Sequence, residues 1–207
     1  MKTILAHRGI TYKYCENTIE SLCEIFNYVL PNYKFGIEFD INLSIDNQLF
    51  IYHDECINNI ALHTLTYNQI KLLNNNIPLL TSLLDKFNNT NYILDIEIKD
   101  YPVNNHTTIS NYYNIISNVV NQYNVDYFYS SFNNNICKFF SDKKRLIYKL
   151  SDIGEKAGDI VHYSEIVNTA KGVYTLFDKD FLPTYLSNLH DMDMLITDDI
   201  DKLLTVL

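Results

Sequence analysis

The sequence predicts an α/β fold, a compact (β/α)8 barrel of the TIM type, on three observations. Strand-length apolar runs alternate with segments of helical period along all 207 residues, the pattern of a parallel sheet covered by helices. The strand-like runs number about eight, for which closure into a ring is the natural solution. Two of them carry acidic residues at alternating positions, where a parallel strand covered on both faces should be apolar.

The strand-like runs fall at 3–7, 35–42, 49–53, 92–99, 126–132, 145–150, 159–163, 173–177 and 193–197. Between them, helical period appears at 17–29, 66–74, 79–88, 107–123, 134–141, 180–189 and 199–206. Asn17, with Glu20 three residues on, reads as a capping-box-like start for the first helix. Asp46-Asn47 lies between two runs and reads as a tight turn, since both residues tolerate positive φ. The asparagine cluster 74–76 and the stretch 104–106 read as loops, and Asp198 sits where it could cap the last helix. No internal repeat or linker interrupts the pattern, so residues 1–207 are expected to form one domain.

Composition narrows the function. Hydrophobic residues make up 47% and charged residues 20%, which suits a packed globular chain. No apolar run approaches the roughly 18 residues of a transmembrane helix, so stable membrane insertion is not expected. The opening MKTILAHRG has too short an apolar stretch, and no small-residue cleavage site, to read as a signal peptide. A cytoplasmic location follows as the expectation. Cys15, Cys23, Cys56 and Cys137 lack metal-ligand spacing and are expected to be reduced packing residues. The net charge of −9 argues against nucleic acid, whose phosphates need a basic surface. It leaves room for one small anionic substrate held by a metal and a few local cations. Nothing in the sequence sets an oligomeric state.

The acids carry the first chemical signal. In 35–42, Phe35, Ile37, Phe39 and Ile41 point one way, while Gly36, Glu38, Asp40 and Asn42 point the other. In 92–99, Leu94, Ile96 and Ile98 oppose Asp95, Glu97 and Lys99 in the same manner. Carboxylates on an inner face are costly to bury unless they are paired or bind a metal. Glu38 and Asp40, two apart on one strand, can share one hard cation such as Mg²⁺ or Ca²⁺, with Glu97 adding a third oxygen donor. His7 and Arg8 end the first strand, where barrel enzymes place their catalytic groups.

Five short patterns occur in order: His7-Arg8-Gly9, Glu16-Asn17-Thr18, Glu38-Phe39-Asp40, His53-Asp54 and Glu97-Ile98-Lys99. In sequence and spacing they resemble the glycerophosphodiester phosphodiesterase family, of the phosphatidylinositol-phospholipase-C-like phosphodiesterase superfamily. Ile77-Pro78-Leu79-Leu80, Ser131-Phe132 and Thr197-Asp198 extend the resemblance over nearly the whole chain, most strongly over 3–99. The resemblance implies a metal held by Glu38, Asp40 and Glu97, with His7 as general base and His53 as general acid. Arg8 and Lys99 are expected to contact the phosphate, and Glu16 is grouped with them, either orienting Arg8 across the pocket mouth or serving only as an acid before a helix cap. The implied reaction is metal-dependent hydrolysis of a glycerophosphodiester to glycerol 3-phosphate and an alcohol. Two alternatives share the barrel: a phospholipase D-type activity on lysophospholipids or sphingolipids, and an inactive barrel serving as a binding module. His63, His106, His162 and His190 match no motif position and read as structural.

The chain also departs from the family pattern. Cys15 stands where the family usually has Pro, Asn47 where it has Gly, and Tyr174-Thr175 where it has a Trp-Thr pair. The segment 55–96 is short, and little helix is expected across 166–172. Both departures imply a pared-down barrel with an open cleft.

Overall fold

The computed structural model describes all residues except 152–157, 166–169, 179, 182–188 and 190–191. Eight strands run parallel around a ring: β1 (Lys2–His7), β2 (Tyr33–Leu43), β3 (Ile93–Ile98), β4 (Asp126–Ser131), β5 (Ile147–Ser151), β6 (Ile160–His162), β7 (Gly172–Leu176) and β8 (Met194–Thr197). Each pairs with the next in sequence. The ring closes where Thr3–Ala6 of β1 lie beside Met194–Thr197 of β8.

The alternation read from the sequence sorts side chains between two apolar layers. Ile37, Phe39 and Ile41 of β2 and Leu94, Ile96 and Ile98 of β3 pack outward on helix residues such as Leu83, Leu84, Phe87, Tyr112 and Ile116. A smaller cluster of Leu5, Phe128, Leu150, Ile160, Met194 and Ile196 fills the inside of the ring. The acids of β2 and β3 share that inside, toward the C-terminal ends of the strands. Gly36 sits where β2 and β3 meet most closely: a Cβ there would lie 2.0 Å from the Ile93 carbonyl oxygen.

The run expected at 49–53 is a strand only over Leu49–Ile51, and it lies outside the ring. It pairs antiparallel with Ile41–Leu43 of β2. The turn at Asp46-Asn47 explains this, because Asn47 adopts φ 60° and folds the chain straight back. A two-stranded hairpin, Cys56–Ile57 with Ile60–Ala61, follows His53.

The helices begin at α1 (Ile19–Cys23), which is shorter than the period at 17–29 implied and passes into a 3₁₀ turn at Glu24–Asn27. Its cap is Thr18 with Ser21, not Asn17 with Glu20. Asn17 is left-handed, at φ 56°, and its side chain is committed to Asp40. Next come α2 (Tyr67–Leu73), capped by Thr66 and Gln69, and α3 (Leu80–Phe87). The expected loop at 104–106 holds the end of α4 (Tyr101–Asn105), five residues with Pro102 in the first turn and too short to display a period. Then α5 (Ile109–Val120), α6 (Asn134–Asp142) and α7 (Ile200–Val206) cover the outside. The cap of α7 is Asp199, which leaves Asp198 free for another role. The helix expected at 180–189 and the reduced one across 166–172 fall mostly outside the described residues, as does His190. All four cysteines are free thiols. Among the described residues, no helix is long and apolar enough to cross a membrane.

Candidate active site

Four strand ends converge at one rim. β1 delivers His7, β2 delivers Glu38 and Asp40, β3 delivers Glu97 with Lys99 just beyond it, and β8 delivers Asp198. Register places Glu38 beside His7, and Asp40 beside Glu97. His53 enters from the segment after the Leu49–Ile51 strand.

Each of the two motif histidines meets a carboxylate through Nδ1. His7 Nδ1 lies 2.7 Å from Asp198 Oδ1, and His53 Nδ1 lies 2.7 Å from Asp54 Oδ1. An ionised carboxylate only accepts, so Nδ1 carries the proton and Nε2 is the nitrogen left for chemistry. His7 Nε2 stands 3.9 Å from Glu38 Oε2. Burial, followed by the nearby Lys99 ammonium, lowers the His53 pKa, although Asp40 pulls the other way.

Arg8 turns left-handed at φ 55° immediately after β1, which swings its side chain back across the rim. Its backbone N–H donates to Glu38, at 2.9 Å to the carbonyl and 3.1 Å to Oε2. Its guanidinium pairs with Glu16 at 3.1 Å and lies 3.4 Å from Asp40 Oδ2. Asn17 Nδ2 donates to Asp40 Oδ2 at 2.8 Å. Lys99 Nζ lies between two acids, 2.7 Å from Asp40 Oδ1 and in contact with Glu97 Oε1. The sequence placed Lys99 on a phosphate; the structure places its ammonium within the acid cluster.

The electrostatics follow from that arrangement. Burial would raise the Asp40 pKa, but Lys99 and Arg8 outweigh it and hold the group well below its ordinary value. Burial would lower Lys99, but Asp40 and Glu97 outweigh it and keep the ammonium charged. Glu97 is pushed up by burial and by Asp40, with Lys99 opposing. Glu38 is pushed well up, by burial and then by Asp40 and Glu97. Its Oε1 is buried without a hydrogen-bond partner.

These residues fit a hard divalent cation. One oxygen from each of Glu38, Asp40 and Glu97 lies within 4.8 Å of the others. Oxygens around an ion at about 2.4 Å span up to about 4.8 Å. The donor set is all oxygen, and Glu38 Oε1 has a lone pair with nothing to serve. His7, Arg8, Glu38, His53, Glu97 and Lys99 open onto one cavity of about 140 Å³, whose remaining walls include Asp95, Phe132, Leu150, Tyr174, Thr175 and Ile196. A shallower groove leads away over Asp100, Tyr101 and Asn133 to Asn135.

All eight sequence-predicted site residues gather here, Glu16 through its pair with Arg8. Three further residues join them. Asp198 and Asn17 had been read as helix caps, and Asp95 had been read as inward-facing without a role. For Asp198 the available signal was its place just past a strand end beside β1; for Asp95 it was the alternation shared with Glu97.

Two carboxylate-backed imidazoles beside a cluster of three buried acids, at the C-terminal mouth of a (β/α)8 barrel, place the chain in the class of barrels that carry a polar site at that mouth. Within that class, the chain belongs to the Glycerophosphoryl diester phosphodiesterase family, whose sequence profile matches residues 7–157. A glycerophosphodiester phosphodiesterase of Bacillus altitudinis is 29% identical over 117 residues, which span 48% of this chain and 46% of that protein. Among solved structures, a glycerophosphodiester phosphodiesterase from Parabacteroides distasonis superposes with a TM-score of 0.75 at 24% identity, over 99% of this chain and 96% of that one. A phosphodiesterase of Oleispira antarctica, solved with its product sn-glycerol-3-phosphate, superposes with a TM-score of 0.76 at 18% identity, over 100% and 96%. At these identities the structural likeness concerns the fold.

Proposed function

We propose that this protein hydrolyses glycerophosphodiesters to glycerol 3-phosphate and an alcohol, with a divalent metal and the two histidines. The observation that carries the proposal is one cavity onto which both imidazoles open together with Glu38 and Glu97, the two members of the acid cluster that flank buried Asp40.

In this reading His7 Nε2 takes a proton from the attacking oxygen as general base, and His53 Nε2 gives one to the leaving alcohol as general acid. Family resemblance supports that order of roles. Asp198 and Asp54 hold the two rings and favour their imidazolium forms when each proton is carried. Glu38, Asp40 and Glu97 would hold Mg²⁺ or Ca²⁺, which supplies Lewis-acid neutralisation of phosphate charge. Arg8, set in place by Glu16, presents guanidinium N–H groups to the phosphate. Lys99 has three donors and spends two on Asp40 and Glu97, so it fixes those ligands and keeps one N–H for a phosphate oxygen. The coenzyme-free donor set and the small cavity both suit a small phosphodiester.

The test is release of glycerol 3-phosphate from glycerophosphocholine, followed with and without chelation. The expected result is turnover that EDTA abolishes and Mg²⁺ or Ca²⁺ restores. Full turnover in rigorously metal-free protein, or none with any divalent ion, rejects the proposal.

A further inference from the structure

One buried carboxyl in the cavity has no part in the chemistry above. Asp95 is fully buried on β3, facing inward two residues before Glu97. At about 3.3 Å per residue, that places it about 7 Å deeper in the barrel than Glu97. Ser130 on neighbouring β4 donates to its Oδ1 at 2.6 Å. Its Oδ2 is buried and has no hydrogen-bond partner, yet Asp95 lines the cavity. In register Asp95 sits between Glu38 of β2 and Phe128 of β4, and the apolar part of the cavity lining includes Leu150 and Ile196.

A buried carboxyl oxygen without a partner costs about 1–3 kcal/mol, more if it is charged. Such an atom on a cavity floor is compensated when a ligand brings the missing hydrogen-bond partner. A phosphate does not suit that depth, because Leu150 and Ile196 give its oxygens no hydrogen-bond donor. A cation does not suit Asp95 either, because the carboxylates whose oxygens lie within 4.8 Å of one another are Glu38, Asp40 and Glu97, and Asp95 is not among them. A neutral hydroxyl fits, with its carbon chain lying along Leu150 and Ile196.

We propose that Asp95 is a specificity-determining residue that takes a hydrogen bond from a hydroxyl of the glycerol moiety, drawn down into the ring beneath the phosphate. This rests on the glycerophosphodiesterase reading of the site. It assigns the enclosed floor to glycerol and the shallow groove over Asn133 to Asn135 to the departing alcohol. A site built to bond a hydroxyl rejects the analogue lacking it far more strongly than an apolar pocket rejects a missing methylene.

The test compares kcat/KM for glycerophosphocholine with that for the phosphocholine diesters of 1,2-propanediol and 1,3-propanediol, each lacking one hydroxyl. Wild-type protein should prefer the glycerol diester over one of the two by about 10²-fold or more. In Asp95→Leu, which keeps similar bulk without a polar atom, that ratio should collapse to within about threefold. Asp95→Asn, which keeps a polar group there, should retain at least about tenfold. Discrimination that survives intact in Asp95→Leu overturns the proposal, since the hydroxyl would then be read elsewhere, for instance by the metal. Equal loss on all three diesters also overturns it and makes Asp95 a support of the acid cluster. If Asp95→Leu does not fold, a wild type indifferent to both missing hydroxyls, or an undiminished ratio in Asp95→Ala, overturns it. No metal-dependent turnover of glycerophosphocholine by the wild type is a different result: it removes the parent reading of the site.

Discussion

At the scale of single residues, the chemistry depends on which imidazole nitrogen faces the cavity. Asp198 and Asp54 settle that for His7 and His53 by occupying both Nδ1 atoms. His7→Ala and His53→Ala should each lower kcat by at least about 10²-fold, the usual worth of positioned proton transfer. The double variant should lose far less than the product of the two, because groups acting as a unit are not additive. Asp198→Asn should lower kcat by at least about tenfold by upsetting the tautomer and the ring orientation. His106→Ala should stay near wild type, since His106 stacks on His63 away from the cavity. Steady-state kinetics on glycerophosphocholine check all five variants, and equal losses at His106 and His7 would sink the assignment. The motif residues were legible in the sequence because each group is local: two or three neighbours with fixed chemistry. Asp198 and Asn17 were not, because their partners lie 191 and 23 residues away. A short polar residue at an element boundary reads first as a cap.

At the scale of elements, strand period carried nearly all the information. Alternation along β2 and β3 identified the inward acids before any contact was known, since successive side chains must face opposite sides. It could not tell a ring strand from a hairpin arm, because Leu49–Ile51 carries the same apolar run as its neighbours. Nor could period find α4, whose five residues make little more than one turn. The β2–β3 seam that carries Glu38, Asp40 and Glu97 closes through Gly36. Gly36→Ala should therefore destabilise the fold by about 1–3 kcal/mol, the usual cost of overpacking, because the new methyl would meet backbone that cannot rotate aside. Denaturant unfolding measures this. An unchanged midpoint would mean that the seam has slack.

Across the whole molecule, a metal at the proposed site would tie stability to ligand. Glu38 and Glu97 are pushed toward protonation by burial and by their neighbours, while Lys99 compensates only part of the charge. A cation that binds the folded state alone stabilises it by mass action. Added Mg²⁺ or Ca²⁺ should raise the melting temperature of the wild type, and Glu38→Gln should lose both this shift and metal binding by calorimetry. Equal shifts in the two proteins would place the ion elsewhere. The same view covers substrate range. The groove beyond the cavity is shallow and polar, so it makes few contacts by which to tell one departing alcohol from another. Choline, ethanolamine and inositol diesters of glycerol 3-phosphate should have kcat/KM values within about tenfold, or about 1.4 kcal/mol. A preference above about a hundredfold would mean that the groove reads the alcohol after all.

Closure of the ring between Thr3–Ala6 and Met194–Thr197 has a consequence during synthesis. The strand that emerges first from the ribosome waits for one of the last before its second edge is paired. Until Met194–Thr197 has been made, β1 can pair only with β2, and its exposed edge is open to neighbouring chains. Asp198 arrives with that same closing strand, so the His7 ring gains its carboxylate partner in the step that seals the wall. A stalled nascent chain can therefore carry every motif from His7 to Lys99 without the finished His7–Asp198 pair, and under the proposed mechanism turnover would report completed closure.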